Sequence, residues 1–397
     1  MWIGTLIEVS LDTAVAALAV PVSVLFVEVA QALRSPRPPS TETPPRQRIA
    51  ILVPAHDEAC GIGRTLRSVI PQLRSHDRLL VVADNCTDDT AAIARYEGAE
   101  VVVREDPTLR GKGYALDFGV RHLAADPPAV VVIVDADCLV QPESIEHLAR
   151  ACIRSLRPVQ ALYLMRADAD APLGARLAQF AWIVKNWVRP RGLLRMNLPC
   201  QLMGTGMAFP WPLIAASPLA SGHIVEDLKL GIDLACAGAA PLFCPAARVV
   251  SEFPSSNDGI RAQRTRWEHG HLGMIVDEAP RLLSRAVRTR SAPLLAMALD
   301  LSVPPLAALT LAIAAIWAMS TIYATITSVV SPLVWNSALA LAFALTIALA
   351  RHRFAKDLVS WRDLPLGIVA ACGKIPLYWR FVFARQSAWI RASRERK

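Results

Sequence analysis

The sequence contains no aspartate, glutamate, lysine or arginine from Leu301 to Ala350. One bilayer crossing takes roughly 20 apolar residues, so this stretch is long enough for two transmembrane helices. Ser331-Pro332 breaks the apolar pattern, and we place the turn between the two helices near Ser328 to Asn336. A long buried hairpin in a soluble protein is the alternative, which the lack of charge disfavours.

Basic residues are also missing from the N-terminus, where Met1 to Ser10 contains no lysine or arginine. A cleaved signal peptide begins with basic residues. The apolar stretch from Thr13 to Val27, flanked by Asp12 and Glu28, is therefore predicted to be an uncleaved anchor within residues 1–33.

Cysteine pairs of the Cys-x-x-Cys type are missing, although the chain has eight cysteines. His269 and His271 lie close in sequence, but no cysteine or histidine pair completes a zinc site. The cysteines are predicted to be free thiols in a reducing compartment.

The formal net charge is +8, and the basic residues flank the apolar stretches instead of forming one stripe. This distribution favours anionic lipid headgroups over nucleic acid as their partner. The positive-inside rule predicts a multi-pass inner-membrane protein whose basic clusters, and the long segment between the first two spans, lie in the cytoplasm. The clusters are Arg34, Arg37, Arg46 and Arg48; Arg281, Arg285, Arg288 and Arg290; and Arg351, Arg353 and Lys356.

A last apolar stretch, residues 364–384, is interrupted by Lys374, Pro376 and Arg380. As a further span it would put the basic tail outside, against the charge rule. We predict that it lies at the cytoplasmic surface as an amphipathic or re-entrant segment.

From Ile49 onward, short apolar runs alternate with helical patterns. This alternation indicates an α/β fold with a mostly parallel sheet covered on both faces, and such sheets bind ligands at the carboxyl ends of their strands. The predicted strands are Ile49–Val53, Arg78–Ala83, Glu100–Val103 and Ala129–Val134, and the predicted helices are Gly61–Leu73, Asp88–Tyr96 and Gly113–Leu123.

Asp135 and Asp137 close the most apolar of these strands. Hard divalent cations such as Mg²⁺ or Mn²⁺ prefer oxygen ligands and stabilise a leaving diphosphate. Two solvated acids at a strand end are the alternative interpretation, and an Asp-x-Asp pair alone is weak support for a metal site.

Three further motifs follow strand ends or open helices. Val53-Pro-Ala-His-Asp-Glu58 and Ala83-Asp-Asn-Cys-Thr-Asp-Asp-Thr90 offer polar groups to a nucleoside, although Asp88 and Asp89 fit a helix N-terminus better. Arg110-Gly-Lys-Gly113 fits a phosphate-binding turn or an ordinary surface turn.

Downstream, Glu226 and Asp227 offer a general base for an acceptor hydroxyl, or simply a helix cap. Gln263, Arg266 and Trp267 fall on one helix face at i, i+3 and i+4, which suits a diphosphate and an acceptor sugar. A membrane-surface helix is the alternative for this arginine-rich piece.

Taken in order, these motifs resemble family 2 of the inverting glycosyltransferases, in particular the membrane-bound branch that includes the cellulose, chitin and hyaluronan synthases and related exopolysaccharide enzymes. The resemblance covers about Ile49 to His271 and the membrane helices. It implies a GT-A fold, Rossmann-like and mostly parallel, which is typical of nucleotide-diphospho-sugar transferases. Any single motif is weak, but six in this order are specific.

The resemblance also implies residue roles. Asp227 is the expected catalytic base, and Asp135 and Asp137 are the expected metal ligands. The expected donor-binding residues are Pro54, Ala55, His56, Glu58, Asp84, Lys112, Asp135 and Asp137. The expected diphosphate- and acceptor-binding residues are Gly204, Thr205, Gly206, Glu226, Gln263, Arg266 and Trp267, with Thr205 standing between the two glycines of a loop that resembles the family's acceptor loop.

The function so implied is β-glycoside formation from a UDP-sugar, with a divalent metal (Mg²⁺ or Mn²⁺), on a growing polysaccharide or a lipid-linked acceptor. Three spans are few for a polymer channel, so single-sugar transfer to a polyprenyl-diphosphate-linked oligosaccharide stays open. A non-catalytic nucleotide-binding subunit with an export or polymerisation partner is a further alternative, which the complete set of acids disfavours.

The predicted organisation follows from these assignments. It comprises an anchor (1–33), a proline-rich linker (34–48), a cytoplasmic catalytic domain (49–280), a basic interfacial segment (281–300), two transmembrane helices (301–350) and a cytoplasmic interfacial segment (351–397).

Overall fold

The structure is a computed structural model, and it describes residues 2–34, 45–168, 170–253 and 257–385, the side chains of 257–262 excepted. Most of the predicted linker and the basic tail from Arg391 to Lys397 lie outside the described residues. The chain divides into two compact units. Of the described residues, the sheet unit comprises 45–167, 197–253 and 257–270, and the helical unit comprises 2–34, 168, 170–196 and 271–385.

The sheet unit contains an eight-stranded sheet with the order β3-β2-β1-β4-β7-β6-β8-β5. The first four strands in this order are parallel, β7 runs antiparallel to β4 and β6, β8 is parallel to β6, and β5 is antiparallel to β8. The strands are β1 (Ile49–Ala55), β2 (Arg78–Asp84), β3 (Glu100–Arg104), β4 (Val130–Ile133), β5 (Leu139–Val140), β6 (Val159–Arg166), β7 (Met207–Pro210) and β8 (Leu242–Glu252).

Helices cover this sheet. They are α2 (Ile62–Val69), α3 (Thr90–Tyr96), α4 (Lys112–Leu123), α5 (Ser144–Ser155), α8 (Trp211–Ala215) and α9 (Glu226–Cys236), with a 3-10 turn at Ile70–Gln72, while α10 (Asn257–Asp277) contributes residues to both units. The four predicted strands and three predicted helices all form, each within a few residues of its expected ends.

The core of the sheet unit explains why the strands lack polar residues. Leu52, Val82 and Ile133 from neighbouring parallel strands are fully buried and pack with Leu116 of α4. Because both faces of these strands are covered, only apolar side chains are accommodated without a hydrogen-bond partner. In β1, β2 and β4 the charged residues therefore lie at strand ends, as Arg78 and Asp84 do in β2.

The helical unit contains the apolar segments. Its helices are α1 (Trp2–Ala32), α6 (Leu173–Ile183), α7 (Arg189–Arg195), α11 (Ala279–Thr289), α12 (Ala292–Leu301), α13 (Leu306–Thr327), α14 (Ser331–Phe354), α15 (Asp363–Cys372) and α16 (Ile375–Phe383), with a π-helical turn at Val184–Val188. Helix α1 packs against α7, α13 and α14. The turn between α13 and α14 occupies residues 328–330, at the start of the predicted interval.

Four stretches of the described residues are long and apolar enough to cross a membrane: Trp2–Ala32, Leu306–Thr327, Ser331–Phe354 and Asp363–Phe383. The first is longer than the predicted apolar core, because the helix continues through Asp12 and Glu28. The last consists of α15 and α16, which meet at Gly373 and Lys374. This last stretch thus also has the length and composition of a membrane span. That it lies at the membrane surface stays a prediction.

A buried ion triad ties three helices of the helical unit together. Nε of Arg189, on α7, lies 2.8 Å from Oε2 of Glu28 on α1, and its Nη2 lies 2.6 Å from Oδ1 of Asp300 on α12. One turn along α7, Gly192 packs on the backbone of Glu28, where an added Cβ would lie 2.1 Å from the Glu28 carbonyl oxygen. The acid that ends the apolar run in the sequence is thus an internal ion-pair partner.

Part of the basic charge assigned to lipid headgroups is used inside the protein. Arg46 is buried and pairs with Asp77 and Glu146, and Arg48 pairs with Asp126. Arg351 is also buried, and it donates to the carbonyl oxygens of Lys356 and Val359. For Arg46 and Arg351 the lipid-contact prediction is wrong, because both side chains are buried, whereas the Arg48 pair lies at the surface.

Candidate active site

The carboxyl ends of β1, β2 and β4 meet at one edge of the sheet, as the parallel register requires. Asp84 ends β2, Pro54 and Ala55 end β1, and Asp135 follows β4 after one residue. The predicted donor-binding residues therefore lie along a single edge. The short linkers between strands and helices present them there.

Lys112, the first residue of α4, is the hub of the site. Its Nζ lies 2.5 Å from Oδ1 of Asp135 and 3.8 Å from Oε1 of Glu226, and it donates to the carbonyl oxygen of Gly204 at 2.6 Å. Its side chain is only 18% exposed. One ammonium group thus links the end of β4, the glycine loop before β7 and the start of α9.

Asp227 belongs to the same cluster. A Cβ added at Gly204 would lie 3.4 Å from Oδ2 of Asp227 and 3.8 Å from Nζ of Lys112, so the glycine faces both groups. Glu226 and Asp227 are the first two residues of α9, and the N-cap is Val225, which makes no side-chain capping bond. The helix-cap alternative for this acidic pair is therefore not what the structure shows, although the first turn still favours acids.

Burial and neighbouring charges shift the pKa values of this cluster. Burial raises the pKa of Asp135, an effect that Lys112 opposes and Asp137 reinforces. Burial likewise raises the pKa of Glu226, with Lys112 and Arg266 opposing and Asp227 reinforcing the shift. For Lys112 burial alone lowers the pKa, but the carboxylates of Asp135 and Glu226 outweigh it and raise the pKa well above its usual value.

The expected metal ligands form a compact oxygen-rich group. Ligand atoms of Asp135, Asp137 and Cys138 all lie within 4.8 Å of one another. The thiol of Cys138 donates to Oδ1 of Asp137 at 3.3 Å, and burial, with the nearby carboxylates, raises the pKa of that thiol well above its usual value. The two carboxylates are therefore the groups of this set that suit Mg²⁺ or Mn²⁺.

Two hydrogen bonds that involve threonine hydroxyls hold the loop at Asp135 and Ala136. The backbone N–H of Asp135 donates to Oγ1 of Thr205 at 3.0 Å, and Oγ1 of Thr65 donates to the carbonyl oxygen of Ala136 at 2.7 Å. Thr205 is fully buried. Thr205, the residue between the two glycines, thus positions Asp135. The sequence did not predict this role for Thr205.

The glycine loop is itself held by Gln160 of β6. The Gln160 amide donates to the carbonyl oxygen of Thr205 at 2.9 Å and accepts from the backbone N–H of Met203 at 2.8 Å. Gly206 has a φ of +64°, and a Cβ there would lie 2.8 Å from side-chain atoms of Ala161 and Val249. Sequence reasoning missed Gln160, whose signal is a lone amide inside an apolar strand.

A second set of contacts lies at the end of β2. Nη1 of Arg104 lies 2.6 Å from Oδ1 of Asp84, and both side chains are buried. Nδ1 of His56 donates to the carbonyl oxygen of Asp84 at 2.7 Å. Arg104 was not predicted, yet Asp84 and Arg104 are direct partners in the register of β2 and β3.

Of the remaining predicted site residues, Glu58 lies near Asp137, and Gln263, Arg266 and Trp267 lie on α10. Gly61 lies between Glu58 and Asp137, since a Cβ added there would be 3.7 Å from Oε2 of Glu58 and 3.8 Å from Cα of Asp137. On α10, Gln263 is buried, while Arg266 and Trp267 are half-buried. The positive charge of Arg266 opposes the rise in the pKa of Glu226.

Asp88 has the structural role that the sequence favoured. Its carboxylate accepts from the backbone N–H groups of Thr90 at 3.0 Å and Ala59 at 3.1 Å. It ties the start of α3 to the loop after β1. Arg110, by contrast, is exposed on the turn before α4.

Comparison with known proteins identifies the family and the fold. The family model described as glycosyltransferase like family 2 matches residues 44–270, more than half of the chain. A probable glycosyltransferase, YdaM, of Bacillus subtilis (strain 168) is 25% identical over 239 residues, covering 58% of this chain and 56% of the relative. Glucosyl-3-phosphoglycerate synthase of Mycolicibacterium paratuberculosis (strain ATCC BAA-968 / K-10) is 32% identical over 201 residues, covering 45% and 57%. The chain spans a little over half the length of these two curated relatives.

Among solved structures, the mannosyltransferase PcManGT from Pyrobaculum calidifontis, in complex with GDP-Man and Mn²⁺, is similar with a TM-score of 0.56. It is 19% identical in sequence, and the match covers 93% of this chain and 97% of that one. At this identity the likeness concerns the fold. Together with the family match, it confirms the predicted GT-A fold with a mostly parallel sheet and accompanying apolar helices.

Proposed function

Since this chain belongs to glycosyltransferase like family 2, we propose that it is an inverting glycosyltransferase that moves a sugar from a nucleoside-diphosphate sugar to an acceptor hydroxyl. The observation that carries the proposal is the convergence on Lys112 of two functional elements. Asp135 at the end of β4 belongs to the leaving-group side, and Glu226 at the start of α9 adjoins the proposed base. Direct displacement needs the leaving group and the base close together, at the same edge of the sheet.

Proton transfer is assigned to Asp227. Its carboxylate takes the proton of the acceptor hydroxyl while that oxygen attacks the anomeric carbon, and the bond to the diphosphate breaks on the opposite face. Glu226 next to it remains paired with Lys112. Because attack and departure occur on opposite faces, the anomeric configuration inverts and an α-linked donor gives a β-linked product.

The residues present fit a divalent metal. Asp135, Asp137, Glu226 and Asp227 bring four carboxylates against the two cations Lys112 and Arg266, a formal excess of two negative charges. Asp135 and Asp137 would hold the ion, and when bound it neutralises charge on the leaving diphosphate. Lys112 and Arg266 add charge stabilisation from the protein itself.

The donor and acceptor assignments follow the edge of the sheet. We assign the nucleoside to the ends of β1 and β2, where Pro54, Ala55, His56, Glu58 and Asp84 lie. We assign the diphosphate and the acceptor sugar to the glycine loop and α10, through Gly204, Gln263, Arg266 and Trp267. The buried Thr205 and Gly206 shape the loop itself.

The apolar helices support a membrane setting. We propose a multi-pass protein of the inner membrane with its catalytic domain in the cytoplasm, in the synthase-like branch of the family. The acceptor is then a growing glycan or a lipid-linked saccharide. The length and composition of the four candidate spans support the membrane setting, and the proposed orientation rests on the positive-inside rule.

The test is a donor screen with the purified full chain. UDP- and GDP-sugars are supplied with Mn²⁺, with Mg²⁺ or with EDTA, and released nucleoside diphosphate is measured. We expect release with at least one donor, loss of release in EDTA and recovery on adding metal. Failure of every donor in the presence of membrane lipid acceptors would contradict the proposed activity.

Product length separates the two acceptor classes. With labelled donor, a polymerising enzyme gives products of many sugars, whereas a single-addition enzyme gives an acceptor extended by one sugar. Gel or mass analysis of the labelled product decides between them.

A further inference from the structure

Lys112 forms an ion pair with Asp135, one of the two proposed metal ligands. Its Nζ lies 2.5 Å from Oδ1 of Asp135, and the carbonyl oxygen of Gly204 at 2.6 Å and the carboxylate of Glu226 at 3.8 Å hold it there. The lysine is the first residue of α4, so its backbone is fixed by the helix. The cation beside this carboxylate is thus an ammonium group of the protein itself.

A lysine ammonium and a divalent cation compete for the same carboxylate. Two positive groups close to one oxygen repel each other strongly where little water screens them. Lys112 is mostly buried, so water does little to weaken that repulsion. The metal therefore gains full access to Asp135 only when Lys112 takes another anionic partner.

The diphosphate of the donor is such a partner. Its oxygens accept hydrogen bonds from an ammonium group, and lysine commonly binds phosphate as a point charge. Glu226 and the Gly204 carbonyl keep Lys112 within the cluster after it leaves Asp135. The contacts of one side chain thus connect the arrival of the donor with the release of a metal ligand.

We propose that Lys112 acts as a positioning residue that occupies Asp135 until the donor diphosphate draws it away, so that the metal and the nucleotide bind cooperatively. This inference rests on the proposed function for the identity of the donor, but its central prediction concerns Mn²⁺ alone. The residue has a role before the chemical step, in addition to its contact with the diphosphate.

The experiment measures Mn²⁺ binding to the purified full chain from the electron paramagnetic resonance signal of free Mn²⁺, with a protein-free titration subtracted to remove the Mn²⁺ that the nucleotide itself binds. We expect weak binding to the wild-type chain alone and much tighter binding with UDP or GDP. Lys112→Met should bind Mn²⁺ alone at least ~10-fold more tightly than wild type, because a buried positive charge next to the ligand is removed. The gain from added nucleotide should shrink in this variant.

Three further variants make the result specific. Lys112→Arg keeps the charge and should bind Mn²⁺ alone about as weakly as wild type. Arg121→Met removes one charge from the exposed far end of the same helix and should leave Mn²⁺ binding unchanged. Adding Asp135→Asn to Lys112→Met should abolish the gain, which shows that the new affinity belongs to this carboxylate.

Equal or weaker Mn²⁺ binding by Lys112→Met, in a chain that unfolds at the same temperature as Arg121→Met, overturns the proposal. If Lys112→Met does not fold, the test uses the wild-type chain. Equal Mn²⁺ affinity of that chain with and without nucleotide also overturns the proposal. Both comparisons measure Mn²⁺ binding, and neither requires the chain to transfer sugar. A chain that transfers no sugar but shows the Lys112→Met gain would therefore contradict the proposed function and leave the role of Lys112 intact.

Discussion

Nη1 of Arg104 lies 2.6 Å from Oδ1 of Asp84, and both side chains are buried at the ends of adjacent strands. The register of β2 and β3 places the two residues directly opposite each other. Arg104 also donates to the carbonyl oxygen of Leu109 at 2.9 Å. Asp84, which we assign to the nucleoside, is thus held by a buried cation before any ligand arrives.

Arg104→Met should destabilise the sheet unit by about 3 kcal/mol, because it leaves the buried Asp84 carboxylate without its cation. Thermal unfolding of the purified chain measures the change, and donor KM should rise with it. Arg121→Met is the matched control, since its pair with Asp117 is exposed on the helix surface and contributes a few tenths of a kcal/mol. Equal unfolding temperatures for the two variants would show that the buried pair does not stabilise the fold.

Asp227→Asn should lower the rate of sugar transfer at least about 100-fold, because the amide cannot accept the acceptor proton. Donor binding should persist, since the metal-side carboxylates are untouched. Release of labelled nucleoside diphosphate gives the rate, and equilibrium binding of the nucleotide gives the affinity.

The control for this variant is Asp233→Asn on the same helix, where the carboxylate pairs with Lys229 at the surface. It should transfer sugar at the wild-type rate. Wild-type turnover by Asp227→Asn would remove Asp227 from the role of base and direct attention to its neighbour Glu226.

The cysteines should react with iodoacetamide in an order set by burial and thiol pKa. All eight lie within the described residues, where none of them forms a disulfide. Cys60 is exposed, whereas burial raises the pKa of Cys152 to about 12 and that of Cys138 well above its usual value. Since the thiolate is the reactive form, Cys60 should be modified at pH 8 while Cys138 and Cys152 stay intact until the chain unfolds.

Mass spectrometry of peptides from the treated chain gives the labelling at each position. Raising the pH from 8 to 9 should leave Cys152 unlabelled, because a pKa of about 12 leaves almost no thiolate at either pH. Cys60→Ser should remove only part of the fast phase of labelling, because Cys372 is also exposed. Fast modification of Cys138 in the folded chain would contradict its burial beside Asp137.

Arg189→Met should destabilise the helical unit by about 3–5 kcal/mol, because it strands the carboxylates of Glu28 and Asp300 in a buried site. We expect a lower unfolding temperature in detergent and a smaller yield of monodisperse protein. Arg288→Met, on the exposed surface of α11, is the control and should behave like wild type. An unchanged unfolding temperature for Arg189→Met would rule out the triad as a stabilising contact.

Much of the fold could be predicted from residue order alone. Continuous apolar strands of four to seven residues, such as Val130–Ile133 and Ile49–Ala55, leave little choice but a covered parallel sheet. The ends of those strands then locate the polar edge. The antiparallel strand β7 and the pairing of β5 with β8 were not predicted, because pairing between distant strands leaves no local pattern in the sequence.

The sequence by itself determined which residues are acidic, basic or apolar at each strand end, and hence the family and the sheet edge where its chemistry belongs. Only the tertiary structure decided which of these charges meet. Lys112 is 23 residues from Asp135 and far more distant from Glu226 along the chain, yet it contacts both. Likewise Glu28 ends an apolar run in sequence but lies inside the protein, because Arg189 from another helix neutralises it. Ion pairs between distant residues depend on packing, which local sequence patterns do not encode.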